Sequence, residues 1–183
     1  MSNIIIGITG SVAAYKAADL VSQLKKKGHT INVCMSQNST NFIAKDTFVN
    51  LSKNNVLIDT FEENDPTIVK HIELAKNADL IVIAPASANT IAKIANGIAD
   101  NMLTNVVLAA YDKPLIIAPA MNTKMYENPI TQENINKLKK LNAIEVEPKT
   151  ALLACNDVGK GALANITDII LEIEKVLQSE TSN

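Results

Sequence analysis

The chain of 183 residues contains no arginine and no tryptophan, and its only cysteines are Cys34 and Cys155. Without guanidinium groups, a bound phosphate or carboxylate must be held by lysine, hydroxyl, amide or backbone N–H groups. Two cysteines are too few for a disulfide scaffold in a chain that is 47% hydrophobic, so we expect a reducing, cytoplasmic location. The lysines are scattered and the formal net charge is −2, so we predict neither a nucleic acid partner nor an anionic membrane partner.

Long apolar runs are also missing. No stretch is long enough to span a bilayer, and the start Met1-Ser2-Asn3 lacks the basic region of a secretory signal. Nothing resembles a linker, so we predict a single domain over residues 1–183, without a metal site.

Short apolar runs alternate with helical patterns along most of the chain. Strands are predicted at 3–9, 31–35, 80–84, 115–118 and 144–146, with amphipathic helices between and after them. This alternation predicts an α/β fold whose parallel sheet is covered by helices on both faces. The segment 149–164 has little periodicity, and we expect it to be a flexible loop that closes over the substrate as a clamp. Residues 179–183 are expected to be a disordered tail.

The tetrapeptide Ile-Ala-Pro-Ala occurs twice, at 83–86 and at 117–120. Each copy ends an apolar run and is followed by small polar residues. Because ligands of open parallel sheets bind outside the carboxyl ends of the strands, we expect both loops to border one crevice.

The first strand is followed by the turn Gly7-Ile8-Thr9-Gly10-Ser11. Glycines and a hydroxyl before a helix are typical of a phosphate site, although a tight turn with Ser11 as the N-cap explains them equally well. A dinucleotide fits less well, because the glycine spacing is not G-x-G-x-x-G and no acid follows Met35. A mononucleotide with an open ribityl chain would find hydroxyl and amide partners in Ser36, Asn38, Ser87 and Thr90, which favours FMN.

Two longer motifs carry a resemblance to a known family. The segment 85–90 reads Pro-Ala-Ser-Ala-Asn-Thr, and the segment 119–125 reads Pro-Ala-Met-Asn-Thr-Lys-Met. Both are similar to signatures of the flavin-containing cysteine decarboxylases, and the resemblance covers nearly the whole chain. It implies a single-domain Rossmann-like (flavodoxin-like) fold, FMN as the cofactor, and a homo-oligomer, either a trimer or a dodecamer, with FMN at the protomer interface.

The resemblance also implies a reaction. The substrate would be 4′-phosphopantothenoylcysteine and the product 4′-phosphopantetheine, as in coenzyme A biosynthesis, with the preceding ligase step on a separate protein. Oxidation by the flavin would give a thioaldehyde, and loss of CO2 from it would leave an enethiol. Return of the hydride would then convert the enethiol to the product.

The resemblance assigns roles to particular residues. His71 would be the catalytic histidine, and Cys155 would be the acid that completes reduction of the enethiol. Asn122 would bind the departing carboxylate together with the Met121–Asn122 backbone. The implied FMN contacts are Gly10, Ser11, Ser36, Asn38, Ser87, Asn89 and Thr90. The implied substrate contacts are Ala120, Met121, Asn122, Lys124 and Lys160. Either of these two lysines would bind the substrate phosphate.

Simpler interpretations of the same residues exist. Periodicity places His71 on an inward helix face with Ile68, Ile72 and Ala75, where a core histidine is common, in a helix that starts at Asp65-Pro66. Asn122 resembles an ordinary turn asparagine, and Cys34 a small buried hydrophobe.

Three alternative functions stay open at this point. A peptidyl-cysteine decarboxylase would lack the Cys155 loop, and a flavin prenyltransferase would be richer in arginine. A non-catalytic FMN-binding regulatory subunit would not need His71, Asn122 and Cys155 together.

Overall fold

The buried apolar runs form a six-stranded parallel sheet in the computed structural model, which describes residues 1–60, 69–154 and 158–180. The strand order is β3-β2-β1-β4-β5-β6. The predicted Rossmann-like sheet is therefore confirmed. Its strands are β1 (Asn3–Ile8), β2 (Thr30–Met35), β3 (Val56–Leu57), β4 (Leu80–Ala86), β5 (Leu115–Pro119) and β6 (Ile144–Glu145).

Helices cover both faces of this sheet because alternate strand residues point to opposite sides. Ile4 and Ile6 belong to one buried cluster, which includes residues of α1, α2 and α8, whereas Ile5 belongs to the other, with residues of α3, α4, α5 and α7. The helices are α1 (Lys16–Lys26), α2 (Lys45–Ser52), α3 (Lys70–Asn77), α4 (Ala88–Ala95), α5 (Met102–Ala109), α6 (Thr123–Tyr126), α7 (Pro129–Lys140) and α8 (Ile166–Glu180), with 3₁₀ turns at Val12–Tyr15 and Gln37–Asn41.

The helix that carries His71 differs from the prediction. It begins at Lys70, with Val69 as its N-cap, and the expected start at Asp65-Pro66 lies outside the described residues, as does Ile68. Leu74 and Ala75 face the core, but Ile72 is exposed. Of the predicted apolar face, Ala75 is buried and His71 is half-buried, but the prediction for Ile72 is wrong because it lies in the first turn of the helix, which is less buried than Leu74 and Ala75.

The segment 149–164, expected to be an irregular loop, contains a second, antiparallel sheet. β7 (Lys149–Leu152) pairs with β8 (Val158–Ala162), and the residues between Ala154 and Val158 lie outside the described part of the chain. We call this pair the hairpin. At the C-terminus α8 continues to Glu180, so the first two residues of the predicted tail are helical.

Candidate functional site

A cavity of about 790 Å³ opens at the carboxyl edge of the sheet, where the loops after β1, β2, β4 and β5 meet. Its position beside β1 and β4, where the strand order reverses, is the usual ligand crevice of such sheets. Its size is in the range of small-molecule sites. The cavity is lined by every residue predicted to contact the cofactor and by three predicted to contact the substrate: Gly10, Ser11, Ser36, Asn38, Ser87, Asn89, Thr90, Ala120, Met121 and Asn122.

A buried threonine ties the first turn to the first Ile-Ala-Pro-Ala loop. Thr9 Oγ1 donates a hydrogen bond to the Pro85 carbonyl oxygen (2.7 Å) and accepts one from the Ser87 N–H (2.8 Å). Thr9 is fully buried. Since buried polar groups are costly unless paired, this pair of bonds fixes the path of the chain into α4.

The two Ile-Ala-Pro-Ala loops are also joined to each other. Ala120 N–H donates to the Ala86 carbonyl (3.1 Å), and Ser11 Oγ donates to the Ala120 carbonyl (3.2 Å) while it accepts from the Ala13 N–H (3.3 Å). Ser11 is therefore the N-cap of the 3₁₀ turn at Val12–Tyr15, which is the simpler of its two predicted roles. It also lines the cavity. Three chain segments form one connected wall.

The second loop is fixed by its own cap and by the hairpin. Asn122 is the N-cap of α6, and its Oδ1 accepts from the Lys124 N–H (2.9 Å). The Met121 N–H donates to the Gly161 carbonyl of β8 (2.9 Å). That bond corrects one expectation, because the Met121 N–H is already used and is not available to a substrate carboxylate.

Glycine in β8 permits this contact. A Cβ built on Gly161 would lie 2.2 Å from the Met121 carbonyl oxygen, and one built on Gly159 would lie 2.2 Å from Thr123 Oγ1. Positions 159 and 161 share one face of the strand. These glycines therefore serve close packing of the hairpin against the second loop, and flexibility is not needed to explain them.

The cavity wall has features that suit a polar ligand. Ser36 Oγ is buried and has no hydrogen-bond partner in the described part of the chain, although most buried polar atoms have one. A Cβ on Gly10 would lie 2.9 Å from Asn38 Cβ, so only glycine lets these two segments approach. The orphaned hydroxyl and this narrow cradle fit a ligand rich in hydrogen-bonding groups, such as the ribityl phosphate of a flavin.

The charged residues of the lining are Lys16, Lys93 and Asp100. Lys93 Nζ lies 2.5 Å from Asp100 Oδ2, and this hydrogen bond lowers the pKa of the Asp100 carboxyl. The Lys16 ammonium lies 5.8 Å from the centre of the Tyr15 ring and has no carboxylate partner among the described residues.

Neither lysine predicted for the substrate phosphate lines this cavity. Lys160 Nζ lies 2.5 Å from Glu147 Oε2 and 5.6 Å from the centre of the Tyr126 ring, and its proximity lowers the pKa of Glu147. Lys124 is exposed on α6.

The cavity of a single chain also does not include His71. This residue is half-buried on α3, and its Nδ1 is buried without a hydrogen-bond partner in the described part of the chain. Cys155 lies outside the described residues. Cys34 is completely buried as predicted, and burial raises the pKa of its thiol to about 12, so it is unsuited to proton exchange.

Several residues of the site were missed by the sequence analysis: Lys16, Lys93 and Asp100 line the cavity, and the buried Thr9 anchors its wall. Thr9 carried no signal beyond its place at the end of a strand, because its partners are more than 70 positions away in sequence. Lys16 begins α1, after the 3₁₀ turn Val12–Tyr15 that follows the glycine turn, and it could have been found from its position near that turn. Lys93 and Asp100 are seven positions apart across a helix end, a spacing that predicts no contact.

Comparison with known proteins places the chain in a family. A family model described as flavoprotein matches residues 1–178. The chain belongs to this flavoprotein family. Among its members, a probable phosphopantothenoylcysteine decarboxylase of Streptococcus mutans is 53% identical over 95% of this chain and 98% of its own length. The chain spans only 44% of a longer relative, the coenzyme A biosynthesis bifunctional protein CoaBC of Bacillus subtilis, at 43% identity over 98% of this chain.

Two solved structures of flavoprotein-family members resemble the whole fold. One is a cysteine-to-serine mutant of PPC decarboxylase complexed with pantothenoylaminoethenethiol, with a TM-score of 0.86 and 34% identity over 97% of this chain and 98% of that chain. The other is the FMN-binding protein AtHal3, with a TM-score of 0.85 and 34% identity over 97% of both chains. The family resemblance inferred from the two motifs is therefore confirmed.

Proposed function

We propose that this flavoprotein is a carboxy-lyase that binds FMN and converts 4′-phosphopantothenoylcysteine to 4′-phosphopantetheine in coenzyme A biosynthesis. The observation that carries the proposal is the convergence of the glycine turn and both Ile-Ala-Pro-Ala loops on one cavity at the carboxyl edge of the sheet. The decarboxylase relative and the two structural neighbours support the same activity and cofactor.

The residues of the first loop and of the glycine turn would hold the cofactor. Ser36 Oγ offers an unused hydroxyl, and the turn at Gly10 and Ser11 offers a narrow polar cradle. FMN, when bound, supplies a two-electron acceptor and donor, which makes loss of CO2 from a cysteine carboxylate feasible.

The second loop would hold the substrate carboxylate. The cap bond to Lys124 N–H fixes the Asn122 side chain at the cavity wall, where its amide can meet the carboxylate. The carboxylate loses hydration when it is held against Ala120 and Met121, and CO2 carries no charge that needs hydration. Cys155 would then protonate the enethiol, a role that rests on the family resemblance.

His71 would act on the cavity of a neighbouring protomer. It lies outside the cavity of its own chain, and the first turn of α3 beside it exposes Val69 and Ile72. The cavity mouth is itself bordered by exposed apolar side chains, which is typical of a surface covered by a partner. In a trimer, or in a dodecamer built from four trimers, the α3 surface of one protomer would cover the cavity mouth of another. The exposed apolar residues of the mouth are Val12, Tyr15, Phe42, Met125 and Leu152.

Purification followed by three measurements tests the proposal. We expect a yellow protein with a flavin absorbance spectrum, a mass in solution of three protomers or a multiple of three, and release of CO2 from phosphopantothenoylcysteine. A peptide ending in cysteine serves as the alternative substrate. A colourless monomer, or flavin-loaded protein that releases no CO2 from phosphopantothenoylcysteine, would overturn the proposal.

Asn122→Ala tests the carboxylate site. We expect kcat/KM to fall by about 10²-fold while FMN stays bound, because one polar contact to the reacting group is lost. Asn128→Ala is the matched control, since Asn128 caps α7 through the Ile130 N–H in the same way and lies outside the cavity. Both variants lose about 1 kcal/mol of stability through the cap, but only the first should lose activity.

Cys155→Ser separates the last step from the earlier ones. We expect CO2 release to continue and the enethiol to accumulate, as detected by mass spectrometry. Formation of phosphopantetheine at the wild-type rate would remove Cys155 from the mechanism.

A further inference from the structure

Lys16 occupies a distinctive place in the cavity. Lysine is the only residue type with a permanent positive charge in this chain, because arginine is absent. Of the residues described, Lys16 and Lys93 are the lysines that line the cavity. Lys93 is neutralised by Asp100 at 2.5 Å, whereas Lys16 has no carboxylate partner within residues 1–60, 69–154 and 158–180, so the described lining carries one unbalanced positive charge.

The surroundings of Lys16 favour an anion with several oxygen atoms. It follows the glycine turn and begins α1, and its ammonium is held over the Tyr15 ring at the cavity mouth. On the same cavity, Ser36 Oγ is a buried hydroxyl without a hydrogen-bond partner among the described residues. An ammonium and an unused hydroxyl that line one cavity match the oxygens of a phosphate monoester.

We propose that Lys16 binds a phosphate monoester in this cavity and makes the site selective for phosphorylated ligands. The inference rests on the proposed function, in which two ligands carry such a group: FMN and the phosphopantothenoyl substrate. Their shared chemistry is a dianionic phosphate, for which an ammonium is a point-charge partner.

Two pairs of ligands distinguish binding of the FMN phosphate from binding of the substrate phosphate, and neither measurement requires turnover. Protein stripped of flavin is titrated with FMN and with riboflavin, and FMN-loaded protein is titrated with 4′-phosphopantetheine and with pantetheine. Each pair differs only by the phosphate. The variants are Lys16→Met and Lys16→Gln, which remove the charge, Lys16→Arg, which keeps it, and Lys26→Met as the control at an exposed position of the same helix.

We expect both neutral variants to lose the preference for the phosphorylated member of one pair by about tenfold or more, while affinity for the unphosphorylated member stays within twofold. A loss in the flavin pair assigns Lys16 to the cofactor phosphate, and a loss in the pantetheine pair assigns it to the substrate phosphate. Lys16→Arg should retain most of the preference and Lys26→Met all of it.

The inference is overturned if both neutral variants keep both preferences within twofold of the wild type. It also fails if phosphorylated and unphosphorylated ligands lose affinity equally, since that would indicate a general packing role. Absence of decarboxylation in the wild type would refute the proposed function, but it would leave these binding comparisons intact.

Discussion

The two Ile-Ala-Pro-Ala loops have the same sequence and different anchors. The first loop begins in the last residues of β4, which contain a cis Ala84–Pro85 peptide bond. It is held by the buried Thr9 side chain and then enters the eight-residue helix α4. After β5, the second loop is held by the Gly161 carbonyl of the hairpin and enters a helix of four residues.

This difference shows how equivalent positions in a sheet acquire separate tasks. The first loop depends on a contact inside the core, so its geometry is set as soon as the sheet forms. The second loop is joined to Ala86 and Ser11, and it depends in addition on a separate two-stranded element through the bond between the Met121 N–H and the Gly161 carbonyl. A displacement of the hairpin would therefore be transmitted to the second loop. A cofactor site gains from the first arrangement, and a site that must admit and release a substrate gains from the second.

Removing the Thr9 hydroxyl should break the anchor of the first loop. In Thr9→Val the shape is kept, but the Ser87 N–H and the Pro85 carbonyl lose their side-chain partner. We expect a loss of about 2–4 kcal/mol in the free energy of unfolding, measured with urea, and a lower FMN content.

Thr9→Ser is the matched control, because it keeps the hydroxyl and removes one methyl group. It should unfold within about 1 kcal/mol of the wild type. If Val and Ser at this position gave equal stability and equal FMN content, the hydroxyl would not be the anchor of the first loop.

Gly161→Ala should disturb the second loop and spare the first. The added Cβ meets the Met121 carbonyl oxygen at 2.2 Å, and a backbone atom cannot rotate away. We expect a loss of about 1–3 kcal/mol in stability and a clear fall in kcat/KM, with FMN still bound at the wild-type level.

Gly97→Ala provides a control of similar stability cost. Gly97 has a φ of +69° and nothing within 4 Å of its added Cβ, so alanine costs about 1 kcal/mol through backbone strain alone. Its activity should match the wild type. If both variants lost activity in proportion to stability, the hairpin would have no specific effect on the second loop.

Much of the main sheet was predictable because its strands are continuous apolar runs separated by helix signals. The hairpin was not, since Val158-Gly159-Lys160-Gly161 has neither an apolar alternation nor bulky side chains. Its pairing is stabilised by contact with Met121 and Thr123, which lie more than 30 residues earlier in the chain. Local pattern therefore carries no information about it.

The residues of the candidate site also fall into those that the sequence could predict and those that it could not. Ser36 and Ser87 were predictable from their places after apolar strands, and the family motifs identified Asn122. The anchor Thr9 and the pairing of Lys93 with Asp100 depend on how distant segments approach, which no local pattern encodes. For the same reason, the sequence predicted Lys160 or Lys124 for the substrate phosphate without any sign that Lys160 pairs with Glu147.

Lys160→Met should give the smallest effect, because it weakens the hairpin from its exposed side. Because the ion pair with Glu147 is solvent-accessible, we expect its loss to lower the free energy of unfolding by less than about 1 kcal/mol. The loss should be smaller still at high salt. Lys160 lowers the pKa of Glu147 from its ordinary value of 4.5. The pair therefore stabilises the protein fully above that ordinary value, and its contribution is lost as the pH falls through the lowered pKa.

The melting temperatures of wild type and Lys160→Met should accordingly differ at neutral pH and converge as the medium becomes acidic. Lys175→Met, which removes an exposed i,i+3 partner of Glu172 on α8, controls for the general loss of a surface charge. Only the Lys160 variant should also change kcat/KM, because only that pair holds the hairpin that anchors the second loop. A change in melting temperature without any change in kcat/KM would show that the ion pair does not affect the second loop. The hairpin would then hold that loop through the hydrogen bond between the Met121 N–H and the Gly161 carbonyl alone.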